Sequence, residues 1–385
     1  MAKKIMYAVT VSKSLKLLNG KLNYLSEKGF NTAIITSPGN EIEKFQDTEM
    51  TRVIPVSMQR EISLFEDVLS LIKLIKVISR EKPQIVNAGT PKAGLLVTLA
   101  AFVCRVPIRI YTIRGLRLET TTGFKRKILL ITEKIAANVA THVVCISPSL
   151  KEKVIDLNIV NEKNISVIRK GSSNGINIEQ NEKSKVPLPI LNSLRQRLGV
   201  QENDFIIGFV GRLTNDKGIN EVLEVFQKVS ALYSNVKLLI LGDFEESDSI
   251  SAAVKNELYK NEQILFEGYQ KNLVPYYQIM DTFLFLSKRE GFGNVVIEAA
   301  LNNVPAIVGN ITGVKDTVID NMTGFIVERE DTESCMKKVV FLINNESAKK
   351  ELGKNAAKWA KENFDSQLIW KDYHKLYTKL LESVR

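Results

Sequence analysis

Hydrophobic positions recur along the chain in short blocks that alternate between strand-like and helix-like spacing. Ile5–Val11 is a compact apolar run rich in β-branched residues, which is typical of a buried strand. The segment from Ser14 carries leucines on one helical stripe and stops at Gly29, a residue type favoured just beyond a helix end. Ser63-Leu-Phe-Glu66 has the form of a capping box that opens a helix reaching Arg80.

The same alternation continues to the end of the chain. Further strands are predicted at Ala33–Thr36, Ile85–Asn87, Ile108–Thr112, Val143–Ile146, Phe205–Val210, Val236–Leu241, Ile264–Phe266, Thr282–Leu286 and Ala306–Val308. Helices are predicted between them, from about Pro91, from about Phe124 and over Ile219–Tyr233. This order implies an α/β protein whose parallel sheets are covered by helices on both faces. Ligands in such sheets bind outside the carboxyl ends of the strands.

A polar, proline-punctuated stretch at 178–190 is the best candidate for an interdomain linker. It predicts an N-terminal Rossmann-like domain at 1–180 and a C-terminal one at 191–365, and 385 residues suit two domains. Residues 366–385 form a separate element, an amphipathic helix. Its apolar side carries Ile369, Trp370, Tyr373 and Tyr377.

The composition, 44% hydrophobic and 25% charged, is that of an ordinary globular protein. The longest nearly uncharged apolar run, Ala93–Cys104, has twelve residues, whereas a membrane-spanning helix needs about 20. Cys104, Cys145 and Cys335 are far apart and lie in mostly apolar stretches. We therefore expect reduced thiols in a cytoplasmic protein, with neither a metal site nor a disulfide framework.

The net charge of +10 is concentrated in the first half of the chain. Residues 1–180 hold 27 Lys and Arg against 15 Asp and Glu, while the remainder is nearly neutral. Nucleic acid, an acidic membrane surface and a phosphorylated substrate could each account for this, and so could a well-solvated surface. The basic stretches Lys73–Arg80 and Lys125–Lys134 are interleaved with aliphatic residues. Single-stranded nucleic acid would call for aromatics, so a lipid surface is favoured.

Two loops after predicted strands carry the candidate chemistry. In Gly211–Gly218, Arg212 and Lys217 stand beside a coming helix N-terminus, an arrangement that suits a diphosphate. A surface turn with two solvated cations is the alternative. In the second loop, Glu290 and Glu298 flank glycines and the start of a helix, so they could bind hydroxyls on either side of a phosphate. A helix-capping carboxylate and a solvated glutamate are the alternative there.

These segments resemble a known family. FVGRLTNDKGI and EGFGNVVIEAALNNVPAIV are similar to motifs of the retaining glycosyltransferases of family 4, with further matches at Gly309–Asp316 and Asn321–Gly324. NAGTPKAGLL, TIRGLRLET, GFKRK and VIRKGSSNGIN resemble bacterial enzymes that build capsule, O-antigen or glycoprotein glycans on polyprenyl diphosphate. The resemblance implies the GT-B fold, in which two doubly wound domains face a cleft. It also implies that the last helix crosses back to the N-terminal domain.

The resemblance implies a role for each donor-side residue. Arg212 and Lys217 would neutralise the donor diphosphate and Glu290 would contact the donor sugar, which makes these three the catalytic candidates. Glu298 would hold the ribose. The complete donor set is Gly211, Arg212, Lys217, Glu290, Gly291, Phe292, Gly293, Asn294, Val295 and Glu298. No metal is expected, because two cations and a helix dipole replace it, and no cofactor is expected.

The acceptor side departs from the family pattern. Many members carry a histidine in the loop where this chain has Thr112-Ile113-Arg114-Gly115. The acceptor-side candidates here are Ser14, Lys92 and Arg114. The residue that replaces the histidine is left open by the sequence.

The predicted function is transfer of a hexosyl or N-acetylhexosaminyl group from a UDP-sugar to a polyprenyl-diphosphate-linked sugar in capsule synthesis. We expect the protein on the inner face of the cell membrane, attached peripherally to its anionic surface, with no nucleic-acid partner. Three alternatives stay open: a soluble sugar-phosphate glycosyltransferase of the same fold, a non-catalytic nucleotide-sugar-binding protein and a nucleic-acid-binding protein.

Overall fold

The chain divides into two units, each with its own parallel sheet. One unit combines residues 1–175 with 366–385, and the other spans 176–365. The computed structural model describes residues 3–49, 51–59, 63–245 and 248–384. Within those ranges, no helix combines the length and the apolar character needed to cross a membrane.

The first unit contains a seven-stranded sheet in the order β3-β2-β1-β4-β5-β6-β7. Its strands are Lys3–Ala8, Phe30–Thr36, Arg52–Pro55, Ile85–Gly89, Ile108–Ile113, His142–Cys145 and Ile165–Val167 (β1–β7). Its helices are Lys21–Glu27, Glu41–Thr48, Leu64–Glu81, Pro91–Val103, Gly123–Val139 and Pro148–Asp156 (α1–α6). The strand order reverses between β1 and β4, and this switch point is where doubly wound sheets bind ligands.

The second unit contains a six-stranded sheet in the order β10-β9-β8-β11-β12-β13. Its strands are Phe205–Val210, Val236–Leu241, Ile264–Phe266, Thr282–Phe285, Ala306–Gly309 and Gly324–Val327 (β8–β13). Its helices are Ile178–Lys183, Leu188–Arg197, Ile219–Ser230, Ala252–Lys260, Val274–Tyr277, Asn294–Leu301, Thr332–Asn344 and Glu346–Phe364 (α7–α14). Here the switch point lies between β8 and β11.

Strands buried on both faces explain the continuous apolar runs in the sequence. In β8, Phe205, Ile207 and Phe209 enter one core cluster. The alternate residues Ile206 and Val210 enter a second cluster on the opposite face. Since successive side chains point to opposite faces, an unbroken apolar strand requires a helical layer on each side.

The C-terminal helix Ser366–Ser383 (α15) completes the core of the first unit. Its apolar face, including Ile369, Tyr373 and Leu381, is buried in the cluster that contains Ile5 of β1. Tyr377 is hydrogen-bonded through its hydroxyl to Tyr7, 370 residues away.

Several local predictions were wrong. The stretch predicted as a linker forms α7 and the start of α8, and it belongs to the second unit, which begins at Ile176. The helix predicted from Ser14 to Gly29 is broken at Gly20, where φ is +76° between a 3₁₀ turn and α1. Ser63 is the N-cap residue of α3, but its amide donates to Asp67 Oδ2 (3.3 Å), not to Glu66 as in the expected capping box.

Candidate active site

Two loops at the carboxyl edge of the second sheet are joined through their backbones. The loop after β8 and the loop after β11 meet where Lys288 N donates to Asp216 O (2.8 Å) and Ser287 Oγ donates to the same oxygen (2.9 Å). The β8 loop is also tied to the loop after β9, because Leu213 N donates to Asp243 O (2.8 Å). The candidate site residues of these loops, which are far apart in the sequence, therefore lie close together at the switch point.

Glycines allow these loops to come so close. Gly218 has a φ of +76°, and a Cβ there would lie 2.0 Å from the carbonyl oxygen of Leu286. Gly313, with a φ of +82°, would place a Cβ 2.4 Å from the carbonyl oxygen of Gly291. A larger residue at either position would push the loops apart, so backbone proximity explains both glycines.

Lys217 and Glu290 form an ion pair, although they were predicted to bind different parts of a donor. Their side chains are 12% and 24% exposed. The charge of Lys217 is therefore matched within the site, and an incoming anion has to compete with Glu290 for it. The two candidate catalytic groups act as a coupled pair.

Arg212 is paired with Glu245, a residue that the sequence did not indicate. Half of the Arg212 side chain and a third of that of Glu245 are exposed. Exposed ion pairs contribute about 0–1 kcal/mol, so this one can be exchanged for a phosphate at small cost. Gly211, just before it, donates its amide to Leu241 O (3.0 Å) at the strand end.

Glu298 lies on α12, and the Tyr277 hydroxyl donates to its Oε2 (3.2 Å). Burial raises the pKa of Glu298 to about 7, against a lowering effect of the hydrogen bond from Tyr277. Both residues line a cavity of about 250 Å³ within the second unit, together with Asn177, Gln180, Asn181, Lys271 and Asn272. A carboxylate at such a cavity can accept hydrogen bonds from the hydroxyls of a bound molecule.

The loop between the glutamates supports the site in two ways. Gly293, with a φ of +93°, is the N-cap of α12, so the amides near Asn294 and Val295 are at the helix start, where an anion is favoured. Phe292, a member of the predicted donor set, is 3% exposed and packs its ring 5.1 Å from that of Phe364, so it anchors the loop in the core.

The three acceptor-side candidates lie in the first unit and differ in whether their polar groups already have hydrogen-bond partners. Lys92 Nζ donates to both carboxylate oxygens of Asp67 (2.6 and 2.7 Å), so its charge is already neutralised. Ser14 lies in the 3₁₀ turn before α1, with its amide bonded to Val11 O. Arg114 follows β5, and its Nε and Nη1 have no hydrogen-bond partner among the described residues.

No set of three or more His, Cys, Asp or Glu side chains that could hold a metal ion occurs in the described part of the chain. Metal-independent chemistry stays a prediction. The polar groups that the site does offer are cations, carboxylates and helix amides, which are the groups needed to bind phosphates and sugar hydroxyls.

Comparison with known proteins identifies the family. A model described as Glycosyltransferase Family 4 matches residues 22–180, and one described as Glycosyl transferases group 1 matches residues 192–359. The chain is 43% identical over 380 residues to the capsular polysaccharide biosynthesis glycosyltransferase CapM of Staphylococcus aureus, with 98% of each chain covered. The chain belongs to glycosyltransferase family 4.

Two further comparisons place this glycosyltransferase among its relatives. It is 27% identical over 323 residues to the UDP-Gal:alpha-D-GlcNAc-diphosphoundecaprenol alpha-1,3-galactosyltransferase of Escherichia coli, covering 82% of this chain and 81% of the relative. The crystal structure of Anabaena Alr3699/HepE in complex with UDP matches with a TM-score of 0.81 at 16% identity, covering 98% of this chain and all of that one. The predicted fold class, two Rossmann-like parallel-sheet domains, is confirmed.

The raised pKa of Glu298 predicts a pH dependence of stability. An unfolded Glu298 loses its proton near pH 4.5, whereas the folded protein retains it up to about pH 7. The stabilising contribution is therefore complete below pH 4.5 and lost as the pH rises through 7. We expect the unfolding midpoint of the native protein to fall relative to that of Glu298→Gln over this range.

Glu133 needs a matched control, because burial raises its pKa to about 7 as well. The experiment is therefore repeated in a Glu133→Gln background, where Glu298 is the group under test. Midpoints of the two proteins that stay parallel from pH 4.5 to 7.5 in this background would contradict the assignment.

Proposed function

We propose that this glycosyltransferase moves a hexosyl or N-acetylhexosaminyl group from a UDP-sugar to a sugar linked to polyprenyl diphosphate, with retention at the anomeric carbon, in capsular polysaccharide synthesis. The observation that carries the proposal is the meeting of the β8 and β11 loops at the switch point of the second unit, where Lys217 pairs with Glu290 and the helix that carries Glu298 begins. The names of the Staphylococcus aureus and Escherichia coli relatives support the pathway and the lipid-linked acceptor. UDP in the Anabaena complex supports the nucleotide.

Donor binding exchanges the ion pairs of the site. The diphosphate takes the place of Glu245 on Arg212 and of Glu290 on Lys217, while the amides at the start of α12 bind the distal phosphate. Glu290 is then released to accept hydrogen bonds from the donor sugar. Glu298 accepts hydrogen bonds from the ribose hydroxyls in the cavity beside Tyr277.

The chemical step is a front-side displacement. The bond from the anomeric carbon to the diphosphate oxygen breaks, and the acceptor oxygen bonds to that carbon on the same face. The leaving diphosphate accepts the proton of the acceptor hydroxyl. Arg212 and Lys217 stabilise the negative charge that grows on the leaving group, which is electrostatic catalysis by groups already in place.

The test is a transfer assay with a panel of UDP-sugars and a sugar on a short polyprenyl diphosphate. We expect transfer with one of them. Lys217→Gln and Arg212→Gln should each reduce turnover about 100-fold or more, the scale of losing a transition-state charge contact. Lys228→Gln, which removes an i,i+4 ion pair with Glu224 on α9, is the matched control. No transfer from any UDP-sugar, or near-normal turnover in both site variants, would overturn the proposal.

Calorimetry with UDP separates the roles of the two glutamates. Glu298→Gln should weaken UDP binding, because the ribose is part of UDP. Glu290→Gln should leave UDP affinity unchanged or raise it, since it frees Lys217 from its ion pair, yet it should impair use of the intact donor. Similar losses of UDP affinity in both variants would show that the assignment is wrong.

We further propose that helices α3 and α5 attach the enzyme to an anionic membrane surface. Core packing accounts for only part of their apolar residues. Leu64 and Phe65 at the start of α3 are 81% and 74% exposed, and Phe124 at the start of α5 is 77% exposed. Lysines and arginines accompany them, notably Lys125, Arg126 and Lys127. Exposed apolar groups beside cations suit an interfacial helix.

Liposome co-sedimentation tests this attachment. Each cation near an anionic leaflet is worth about 1 kcal/mol, so replacing Lys125, Arg126 and Lys127 with Gln should lower binding strongly while the protein stays folded. Rising ionic strength should release the native protein. The matched control neutralises Lys358, Lys361 and Lys371, which lie outside α3 and α5. Binding that is indifferent to lipid charge, salt and the α5 substitutions would refute attachment through charge.

A further inference from the structure

The first unit buries a lysine that has no carboxylate partner among the residues the structure describes. Lys21, the first residue of α1, is 1% exposed. Its Nζ donates to the carbonyl oxygen of Ser173 (2.8 Å) and lies 3.9 Å from the centre of the Tyr373 ring. Among the described residues, no Asp or Glu forms an ion pair with it. Its charge is therefore only partly compensated, by a carbonyl dipole and the face of a ring.

A second uncompensated cation belongs to the same cluster. Arg114 follows β5 and folds back over the end of β4, so a Cβ on Gly89 would lie 2.7 Å from its Nε. Nε and Nη1 are buried and make no hydrogen bond within the described ranges. Burial lowers the pKa of Lys21 well below its usual range, and the charge of Arg114 lowers it further. The two cations therefore interact unfavourably.

The neutral groups nearby are largely engaged with one another and do not relieve this strain. The Asn87 amide donates to the Tyr377 hydroxyl (2.8 Å), and Thr112 Oγ1 donates to Asn87 Oδ1 (2.8 Å). One group is left over. Ser173 Oγ is buried and makes no hydrogen bond among the described residues. In the cluster of Lys21, Arg114 and Ser173, the Nε and Nη1 groups of Arg114 and the Ser173 hydroxyl thus have no hydrogen-bond partner in the described part of the chain.

Two other lysines with largely buried side chains show the usual solution. Lys92 is paired with Asp67 and Lys349 with Asp281 (2.6 Å in each case), so each ammonium faces a carboxylate. Burying a charge without such a partner is costly. A ligand that supplies a negative charge would offset the free-energy cost of burying the cationic groups of Lys21 and Arg114.

We propose that Lys21 and Arg114 bind a phosphate of the acceptor's polyprenyl diphosphate, with Ser173 Oγ as an additional donor. This inference rests on the proposed function and adds to it the residues that select a phosphorylated acceptor. The site lies at the carboxyl edge of the first sheet, where Arg114 follows a strand one position from the switch point. It gives the glycine-rich stretch Lys170–Gly175 a role, because that stretch supplies both groups of Ser173.

The first experiment compares two acceptors that differ only in charge, one sugar on farnesyl diphosphate and the same sugar on an uncharged octyl group. Lys21→Met and Arg114→Gln should each raise KM for the diphosphate acceptor about 10-fold or more, as for losing a hydrogen bond to a charged group. KM for the octyl glycoside should stay within about twofold of the native value, which is much less than the change expected for losing one charged contact. Unchanged KM for the diphosphate acceptor in both variants would overturn the proposal.

Lys28→Met is the matched control. Lys28 follows the other end of the same helix and also lies over a tyrosine ring, 5.5 Å from the centre of Tyr24, but it is exposed. We expect no change in the preference between the two acceptors. A change equal to that of Lys21→Met would show that the effect belongs to lysine–tyrosine contacts in general, and would overturn the proposal.

The second experiment measures stability, with UDP present to occupy the donor site. Inorganic pyrophosphate should raise the unfolding midpoint of the native protein and not that of either variant. Without pyrophosphate, Lys21→Met should unfold at a higher temperature than the native protein, because a buried unpaired charge is gone. If Lys21 served only to stabilise the fold, Lys21→Met would unfold at a lower temperature than the native protein. A lower midpoint of Lys21→Met together with an unchanged acceptor preference would overturn the proposal. If Lys21→Met fails to fold, the response of Arg114→Gln to pyrophosphate still tests the proposal.

The outcomes separate this site from the donor site. UDP affinity depends on the second unit and should stay at the native level in both variants. If pyrophosphate stabilises the native protein while the acceptor preference does not change in either variant, the site binds a free anion and the acceptor assignment is wrong. If the native protein transfers no sugar, the proposed function fails, whereas the anion site is still judged by the pyrophosphate result.

Discussion

The close backbone contact between the β8 and β11 loops is the constraint on which the donor site depends. Gly218 passes so near Leu286 that even a methyl group would not fit. This contact brings Lys217 against Glu290, although 73 residues separate them. It also joins the loop that carries Lys217 to the loop that leads into α12. Without the contact, the two sequence motifs would be separate turns with no shared chemistry.

The two units manage charge in opposite ways. In the second unit, Arg212 and Lys217 each have a resident carboxylate, which a ligand can replace by exchange. In the first unit, buried Lys21 and the buried Nε and Nη1 of Arg114 have no carboxylate partner within the described ranges. Exchange keeps the ion-paired site stable and makes binding reversible. Buried cations without a resident carboxylate instead lower stability until an anion binds, which favours selectivity for charged ligands.

The sequence predicted what local pattern determines and missed what long-range contact determines. The limits of β8 and β9 match those predicted because strands covered on both faces leave unbroken apolar runs. Three short strands, Arg52–Pro55, Ile165–Val167 and Gly324–Val327, were missed, and all lie at sheet edges where the apolar pattern is brief. The donor motifs could be recognised in the sequence by the spacing of their glycines. The roles of Glu245, Tyr277 and Lys21 could not be recognised, because their contacts join positions 21 to 152 residues apart.

The C-terminal helix has a consequence for synthesis on the ribosome. Until α15 has been translated, Tyr7 cannot form its hydrogen bond with Tyr377, and the core around β1 is not covered by the apolar face of α15. The 176–365 segment is continuous and can fold while the first unit is still incomplete. At about 5–20 residues per second, its 190 residues take roughly 10–40 s to emerge, during which the unfinished first unit exposes apolar surface to chaperones.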